Sequence, residues 1–467
     1  MIACACTVVL LAGCSSTVVD GRATSMLFNP ERVGGLPVSE GPSGPRPGAP
    51  EPVGTVENAD DGPIDRLALL AVNDIQDFWQ KNYADYLPGE FEPVETLVSY
   101  DSTDPSSPEV CGSQTYELPN ASFCYPINVM AWDRGAFLPV GQKYFGDMGV
   151  VGVIAHEYGH ALQWMAGLVT METPVLVKEQ QADCFAGVYL RSVAAGESSR
   201  FTLSTGEGLN RVLAGVIYIR DPVTVGAPAD AHGNALDRVS AFQMGFSGNA
   251  DQCAAIDEAE IKQRQGDLPE NVVAYDDTDP VLDSPIDEDL LSSLMDRLTD
   301  IFQPSEAPTL RTQRGACSEA TVSEPTAYCP ASNTVYVNLP ELRAAGQTKT
   351  EEEDEVLVQG DNTALSMVAS RYALAIQQER GVQLDTPVAA VRTACLTGVA
   401  QGQMTEGDFV LSPGDTDEAV AGLLTNGLVA SDVDGTPAPA GFTRILAYRL
   451  GLTSDVDECF QRFSDDS

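Results

Sequence analysis

The sequence predicts a duplicated globular fold, two copies of one unit carried behind an apolar leader. Three observations predict it. Residues 238–253, RVSAFQMGFSGNADQC, match residues 444–459, RILAYRLGLTSDVDEC, without a gap; both begin with Arg, end with Cys, and share apolar positions and one Gly. DGPID at Asp61 recurs as DSPID at Asp283, and FTLSTG at Phe201 as FVLSPG at Phe409. With 43% hydrophobic residues over 467 positions, the chain can fill two to three domains of ordinary size.

Residues 1–14, MIACACTVVLLAGC, form an apolar run too short to span a bilayer. The run has the character of a secretory signal peptide, and its LLAGC ending resembles the bacterial lipobox, in which the Cys is lipidated; here that is Cys14. No positively charged segment precedes it, so either the true start lies upstream or this is only a hydrophobic N-terminus. Residues 15–57 are rich in Gly, Pro and Ser and predict a disordered tether of about 35–40 Å average reach. Repeat 1 then covers 58–262, a polar linker 263–279, and repeat 2 residues 280–467. The expected address is the outer face of the cytoplasmic membrane, with the lipid on Cys14 as the membrane contact.

The formal charge of −42 is spread along the chain, which argues against nucleic acid or an anionic membrane surface as a partner. EEEDE at Glu351–Glu355 is a solvated acidic loop on this reading. Of eleven cysteines, Cys4 and Cys6 leave with the leader and Cys14 takes lipid, so eight remain, an even number suited to disulfides outside the cytoplasm. Each repeat holds a close pair and then two distant ones, which permits three pairings. A local pair plus a distant pair is expected: Cys111–Cys124 and Cys184–Cys253, then Cys317–Cys329 and Cys395–Cys459.

The stretch VIAHEYGHALQ, residues 153–163, holds two of the three histidines of the chain. Val150 to Met165 has the apolar spacing of a buried helix that Gly167 ends, so His156 and His160, at i and i+4, project from one face. That is the HExxH spacing, in which both imidazoles bind zinc and the intervening carboxylate, here Glu157, is the general base. A catalytic zinc takes a third protein ligand. The run VLVKEQQADCFAGVYLRSV predicts a second helix with Glu179 and, one turn on, Asp183 on the same face. Glu179 completes the ligand set, Asp183 supports a ligating His, and Cys184 faces away as a disulfide staple.

These motifs resemble the neutral zinc metallopeptidases of bacteria, a family that includes envelope lipoproteins. The resemblance rests on the pair Cys111 and Cys124, HEYGH, EQQADCFAG, His232-Gly233, Arg238-Val239 and Cys253, over about two hundred residues of repeat 1. It implies an α+β, zincin-like fold of gluzincin type, with the strand INVMAWD at Ile127–Asp133 before the HEYGH helix. It also implies a peptide or protein substrate.

Repeat 2 departs from that pattern. ASRYALAIQ at Ala369 aligns with AHEYGHALQ at Ala155, so Ser370, Arg371 and Leu374 replace His156, Glu157 and His160. Ala390 and Ala394 stand at the Glu179 and Asp183 positions, and Ala438 at that of His232. The expectation is therefore one Zn²⁺ per chain, held by repeat 1, and a second copy that folds alike and binds none. His232 is either an oxyanion-stabilising catalytic donor or a helix-capping or loop histidine; Arg238, kept as Arg444, is a structural ion-pair partner. The competing reading is a non-catalytic envelope scaffold with a vestigial zinc site. Cys14→Ser is expected to release the protein from the membrane fraction or block its processing, and fractionation of cells checks it; unchanged membrane retention would remove the lipobox assignment.

Overall fold

Prolines and glycines set where the helices begin and end. Pro63 opens the helix Pro63–Tyr86 at a position where its missing N–H costs nothing, and the Leu87-Pro88 pair stops it. The computed structural model describes residues 16–19, 22–25, 29–220, 233–265, 284–312, 317, 323–349, 357–404, 411 and 413–464. They form a mixed α and β structure in which helices predominate.

After the first helix, Thr96–Tyr100, Ala121–Cys124 and Val129–Asp133 make a three-stranded sheet. Val129–Asp133 is the middle strand, parallel to Thr96–Tyr100 and antiparallel to Ala121–Cys124. The strand expected from Ile127 starts two residues later. Tyr125–Ile127 form a 3-10 turn and Asn128 takes the left-handed conformation at φ 51°, which Asn tolerates and which reverses the chain before pairing resumes.

The helix Asp147–Met165 is central. It packs against Pro63–Tyr86, Val175–Ala194, Glu207–Tyr218, Phe137–Phe145 and the edge strand Ala121–Cys124. That setting explains why Val150, Val151, Ile154, Ala155 and Leu162 are all buried, as in a helix covered on every side. Val175–Ala194 in turn crosses Ala235–Ser247 at two glycines. A Cβ at Gly187 would collide with the Phe242 carbonyl oxygen, and one at Gly245 with that of Cys184. The Cys184–Cys253 disulfide closes beside this crossing.

A like order of main elements runs through residues 288–462. Helix Glu288–Phe302 precedes the strands Thr309–Arg311, Thr326–Cys329 and Thr334–Val337, with the last in the middle, parallel to the first and antiparallel to the second. A 3-10 turn, Pro330–Ser332, and a left-handed Asn333 again separate the antiparallel pair. Helices Asp361–Glu379, Pro387–Gly402, Pro413–Thr425 and Gly441–Leu452 follow. Gly398 meets the Tyr448 carbonyl and Gly451 that of Cys395, as their counterparts do in the first half. The four disulfides are Cys111–Cys124, Cys184–Cys253, Cys317–Cys329 and Cys395–Cys459, the expected set.

Two boundaries need correction. Residues 29–57 are not a disordered tether but a belt fastened to the first half. Val33 is fully buried, Gly44-Pro45 pairs with Phe201-Thr202, and Val53 exchanges two hydrogen bonds with the Asn73 amide at 2.7 and 3.0 Å. Composition missed this because the belt is held mainly by backbone and hydroxyl hydrogen bonds, with little apolar burial of its own. The first body also runs past residue 262, since the helix Glu258–Gln265 docks through Gln265, which donates to Asp237 at 2.8 Å. Cys14, most of the linker and Glu351–Glu355 lie outside the described residues.

The halves join by reciprocal helix capping. The Ala235 N–H, at the start of Ala235–Ser247, donates to Asp417 Oδ1 in the opposite half at 2.8 Å. The Gly441 N–H, at the start of Gly441–Leu452, donates to Asn210 Oδ1 in the first half at 2.9 Å. Asp417 also takes a buried ion pair from Arg220 at 2.7 Å. One hydrophobic core runs through both halves, with Phe246 against Phe442. A single urea transition is expected for the whole chain. Asp417→Ala should cost about 3–5 kcal/mol, as for stranding a buried charge, and Asn210→Ala about 1 kcal/mol, as for losing one helix cap; two separate transitions would show that the halves are independent.

Candidate metal centre

Two helices supply the cluster, and a glycine lets them meet. A Cβ at Gly159, between His156 and His160, would lie 2.8 Å from the Cα and carbonyl oxygen of Ala182 on the facing helix. With hydrogen there, the HEYGH helix lies directly on Val175–Ala194, and Glu179 faces both imidazoles. Glu179 Oε2 is 3.1 Å from His156 Nε2, and Glu179 Oε1 is 3.5 Å from His160 Nε2. All three side chains are buried.

The far side of each imidazole is also held. His156 Nδ1 is 2.8 Å from Asp183 Oδ1, and His160 Nδ1 is 2.8 Å from the Tyr125 hydroxyl and 3.2 Å from Gln163 Oε1. With Nδ1 engaged by these oxygens, each Nε2 is the nitrogen that faces the Glu179 carboxylate. Asp183 is fixed in turn by Arg238, whose Nε and Nη2 donate to its two oxygens at 2.9 and 2.8 Å. Arg238 Nη1 donates to the Ile219 carbonyl at 2.6 Å. The expected structural role of Arg238 is this one, and its partner is the residue that steadies His156.

Charge follows the geometry. Burial alone would push the His156 imidazole down, but the carboxylates of Asp183 and Glu179 outweigh it and hold its pKa up at about 10. Burial would raise Glu179, yet the imidazoles of His160 and His156 bring it well below the usual carboxylate range. Asp183 is lowered against its own burial by Arg238 and His156. Burial, then the charges of Glu179 and Glu157, push the Tyr125 hydroxyl up, so it stays a neutral donor and acceptor. Glu157 is buried on the same helix, and its charge reaches both Tyr125 and Tyr100.

The donor set fits a zinc ion. Two imidazole nitrogens and a carboxylate offer ligand atoms that lie within 4.8 Å of one another. In a tetrahedral zinc site, with bonds of ~2.0–2.1 Å, ligand atoms are roughly 3.3 Å apart, a separation the 3.1 and 3.5 Å spacings bracket. The mixture of two nitrogens and one oxygen suits zinc better than the all-oxygen preference of calcium or magnesium.

The structure thus brings together His156, His160, Glu179 and Asp183 as the sequence spacing predicts, with Glu157 beside them. His232 lies outside the described residues. Sequence reasoning missed Tyr125 and Gln163. Tyr125 sits directly after Cys124, and the corresponding position after Cys329 is Pro330, so Tyr125 vanishes together with the ligands; that contrast was its available signal.

At the equivalent place in the second half the chemistry is gone. Leu374, Ala390 and Ala394 are buried, and Ser370 donates to the Met367 carbonyl at 2.6 Å. The Arg371 guanidinium donates to the Leu428 carbonyl at 2.7 Å and Ser431 Oγ at 2.6 Å, and burial lowers its pKa to about 10. Gln163 and Gln377 keep one role in common, since each donates to a backbone carbonyl of the neighbouring helix, that of Lys178 and of Ala389.

No family model matches the chain, no curated protein matches it, and no solved structure matches it. Its own two halves are the comparison that bears on the cluster.

Metal affinity should depend on the groups behind the imidazoles. Asp183→Asn is expected to weaken zinc binding by ~10–100-fold, and Tyr125→Phe by less, because Gln163 still accepts from His160. Competition against a chromophoric chelator measures both, and equal affinity in all three proteins would remove the supporting role given to Asp183 and Tyr125.

Proposed function

We propose that the first half is a zinc-dependent peptidase working outside the cytoplasm, and that the second half is a degenerate copy of the same zincin-like fold that holds no metal. The observation that carries this is the convergence of His156 Nε2 and His160 Nε2 on Glu179, with a further buried carboxylate, Glu157, on the same helix. A site that only stored or bound zinc would have no use for the fourth group. The eight disulfide-bonded cysteines support an oxidising compartment, with anchorage through lipid on Cys14.

His156, His160 and Glu179 would hold the zinc, which when bound supplies Lewis acidity toward a peptide carbonyl and makes water a usable nucleophile at neutral pH. Everything else falls to the chain. Asp183 and Tyr125 keep both Nδ1 positions engaged, so the two Nε2 atoms stay available. Glu157 takes a proton from the attacking water and passes it to the departing amine, splitting the peptide bond into a carboxylate and an amine. Burial around the cluster keeps bulk water away from the charged groups that do this.

The like order of the main helices and the like pairing of the three-stranded sheet in residues 288–462 support the duplication, and the lost ligands support its degenerate character. The purified chain is expected to hold one zinc. Glu157→Gln should keep that zinc and the fold while turnover of a peptide library falls by ~10²–10⁴, whereas Glu179→Ala should lose zinc and activity together. Two tightly held zinc ions would remove the degenerate-copy reading. Equal digestion by wild type and Glu157→Gln, including none by either, would transfer support to a non-catalytic binding platform.

A further inference from the structure

Large apolar side chains are seldom left in water beside a charged cluster without a use. Among the described residues, the exposed large hydrophobics are Val53, Tyr116, Leu118, Ile127, Trp164 and Met171, all in the first half. Three of them, Trp164, Ile127 and Met171, belong to the segments next to Tyr125. The Tyr125 ring lies 5.7 Å from the His160 ring and 5.7 Å from the Trp164 ring. Ile127, 60% exposed, ends the same 3-10 turn. Met171, also 60% exposed, is tied to this wall by Lys178, which donates to the Met171 carbonyl at 3.3 Å and lies 5.4 Å above the Tyr125 ring.

The second half provides the control. At the matching places Tyr125 becomes Pro330, Ile127 becomes Ser332, Trp164 becomes Gln378 and Lys178 becomes Ala389. Ser332 and Gln378 are exposed as their counterparts are, so the positions still face solvent and have turned polar. Fold stability does not explain the apolar set, because the same scaffold stands without it. The apolar rim and the metal-binding set are present together in one half and absent together in the other. A rim that touches a ligand-bearing histidine through Tyr125 is placed to meet whatever the cluster acts on.

We infer that the wall formed by Tyr125, Trp164, Ile127 and Met171 recognises a bulky aliphatic or aromatic side chain of an extended peptide, next to the bond that the cluster cuts. The inference rests on the peptidase reading for its second clause only. An aromatic face, an aliphatic tip and a thioether together make a surface for Leu, Met or Phe, while Lys178 offers a hydrogen bond to a peptide carbonyl at its edge. Polar or acidic side chains would gain nothing here, and the strongly negative surface elsewhere disfavours acidic peptides.

The chain carries its own reporter. Of its three tryptophans, Trp79 and Trp132 are buried and Trp164 is 37% exposed, so a change in emission on peptide binding reports Trp164. Zinc-loaded, full-length Glu157→Gln is titrated with two end-blocked hexapeptides that differ only by Leu against Ser at one central position. The Leu peptide should bind about tenfold tighter and shift the emission to the blue. Ile127→Ser, built into the same protein, should erase most of that preference while zinc content is unchanged. Trp164→Gln, followed by calorimetry because the reporter is gone, should do the same. Equal binding of the two peptides, or a preference untouched by both substitutions, would overturn the inference even if the wild type digests peptides. A Leu preference that both substitutions erase, with no turnover by wild type, would instead remove the peptidase reading and leave the apolar recognition standing.

Discussion

The Asp183 carboxylate is the point on which the first half depends. It is buried between His156 on one helix and Arg238 on another, and it belongs to the helix between them. Three helices are thereby fixed by one group. Removing a charge of this kind from water is costly, and the cost is offset only because both of its oxygens accept charge-assisted hydrogen bonds from Arg238. Its neighbour in sequence, Cys184, points about 100° further round the helix and forms the Cys184–Cys253 staple. The staple and the ion pair start from adjacent residues of one helix, and the ion pair fixes the carboxylate that holds His156.

That arrangement explains why the ligands of the second half are missing as a set. If only the Asp were lost, the equivalent Arg and His would remain buried without a counter-charge, which costs several kcal/mol. With Ala394 at the Asp position, Arg444 turns to the carbonyl of Ala438 at 2.6 Å and that of Leu423 at 3.0 Å. Burial holds its pKa down at about 10, although the charge of Glu207 acts the other way. Arg371 likewise bonds neutral oxygens. At that place the buried guanidinium groups are satisfied by carbonyls and hydroxyls.

How much of this was legible in the sequence follows from what each signal depends on. His156, His160, Glu179 and Asp183 were legible because helix periodicity alone places side chains at i and i+4 on one face. The disulfides were legible because each half of the chain carries a close pair of cysteines and then a distant pair, which limits the sensible pairings. Tyr125 was not, since its place against His160 is set by a 3-10 turn and a left-handed Asn128, neither of which has a periodic pattern. The belt over residues 29–57 was missed for another reason. A segment poor in apolar residues can still be ordered when a finished surface offers it partners for its backbone, and some of those partners, such as Thr205 for the Ser39 N–H, lie far along the chain.

The second half, which lacks the histidine and carboxylate cluster, still supports the half that has it. Asp417 accepts from the first N–H of Ala235–Ser247 and pairs with Arg220. Arg238 lies one turn into that helix and holds Asp183, which holds His156. Contacts therefore run without a break from the second half to a candidate zinc ligand. Asn210 gives the same support in the other direction, to Gly441. Two identical subunits meeting about a two-fold axis make reciprocal contacts of this kind, and a fused duplication inherits them in one chain. Under the proposed duplication, the second half could lose every ligand but could not lose the surface that caps its partner's helix, so it persists as scaffold after its chemistry has gone.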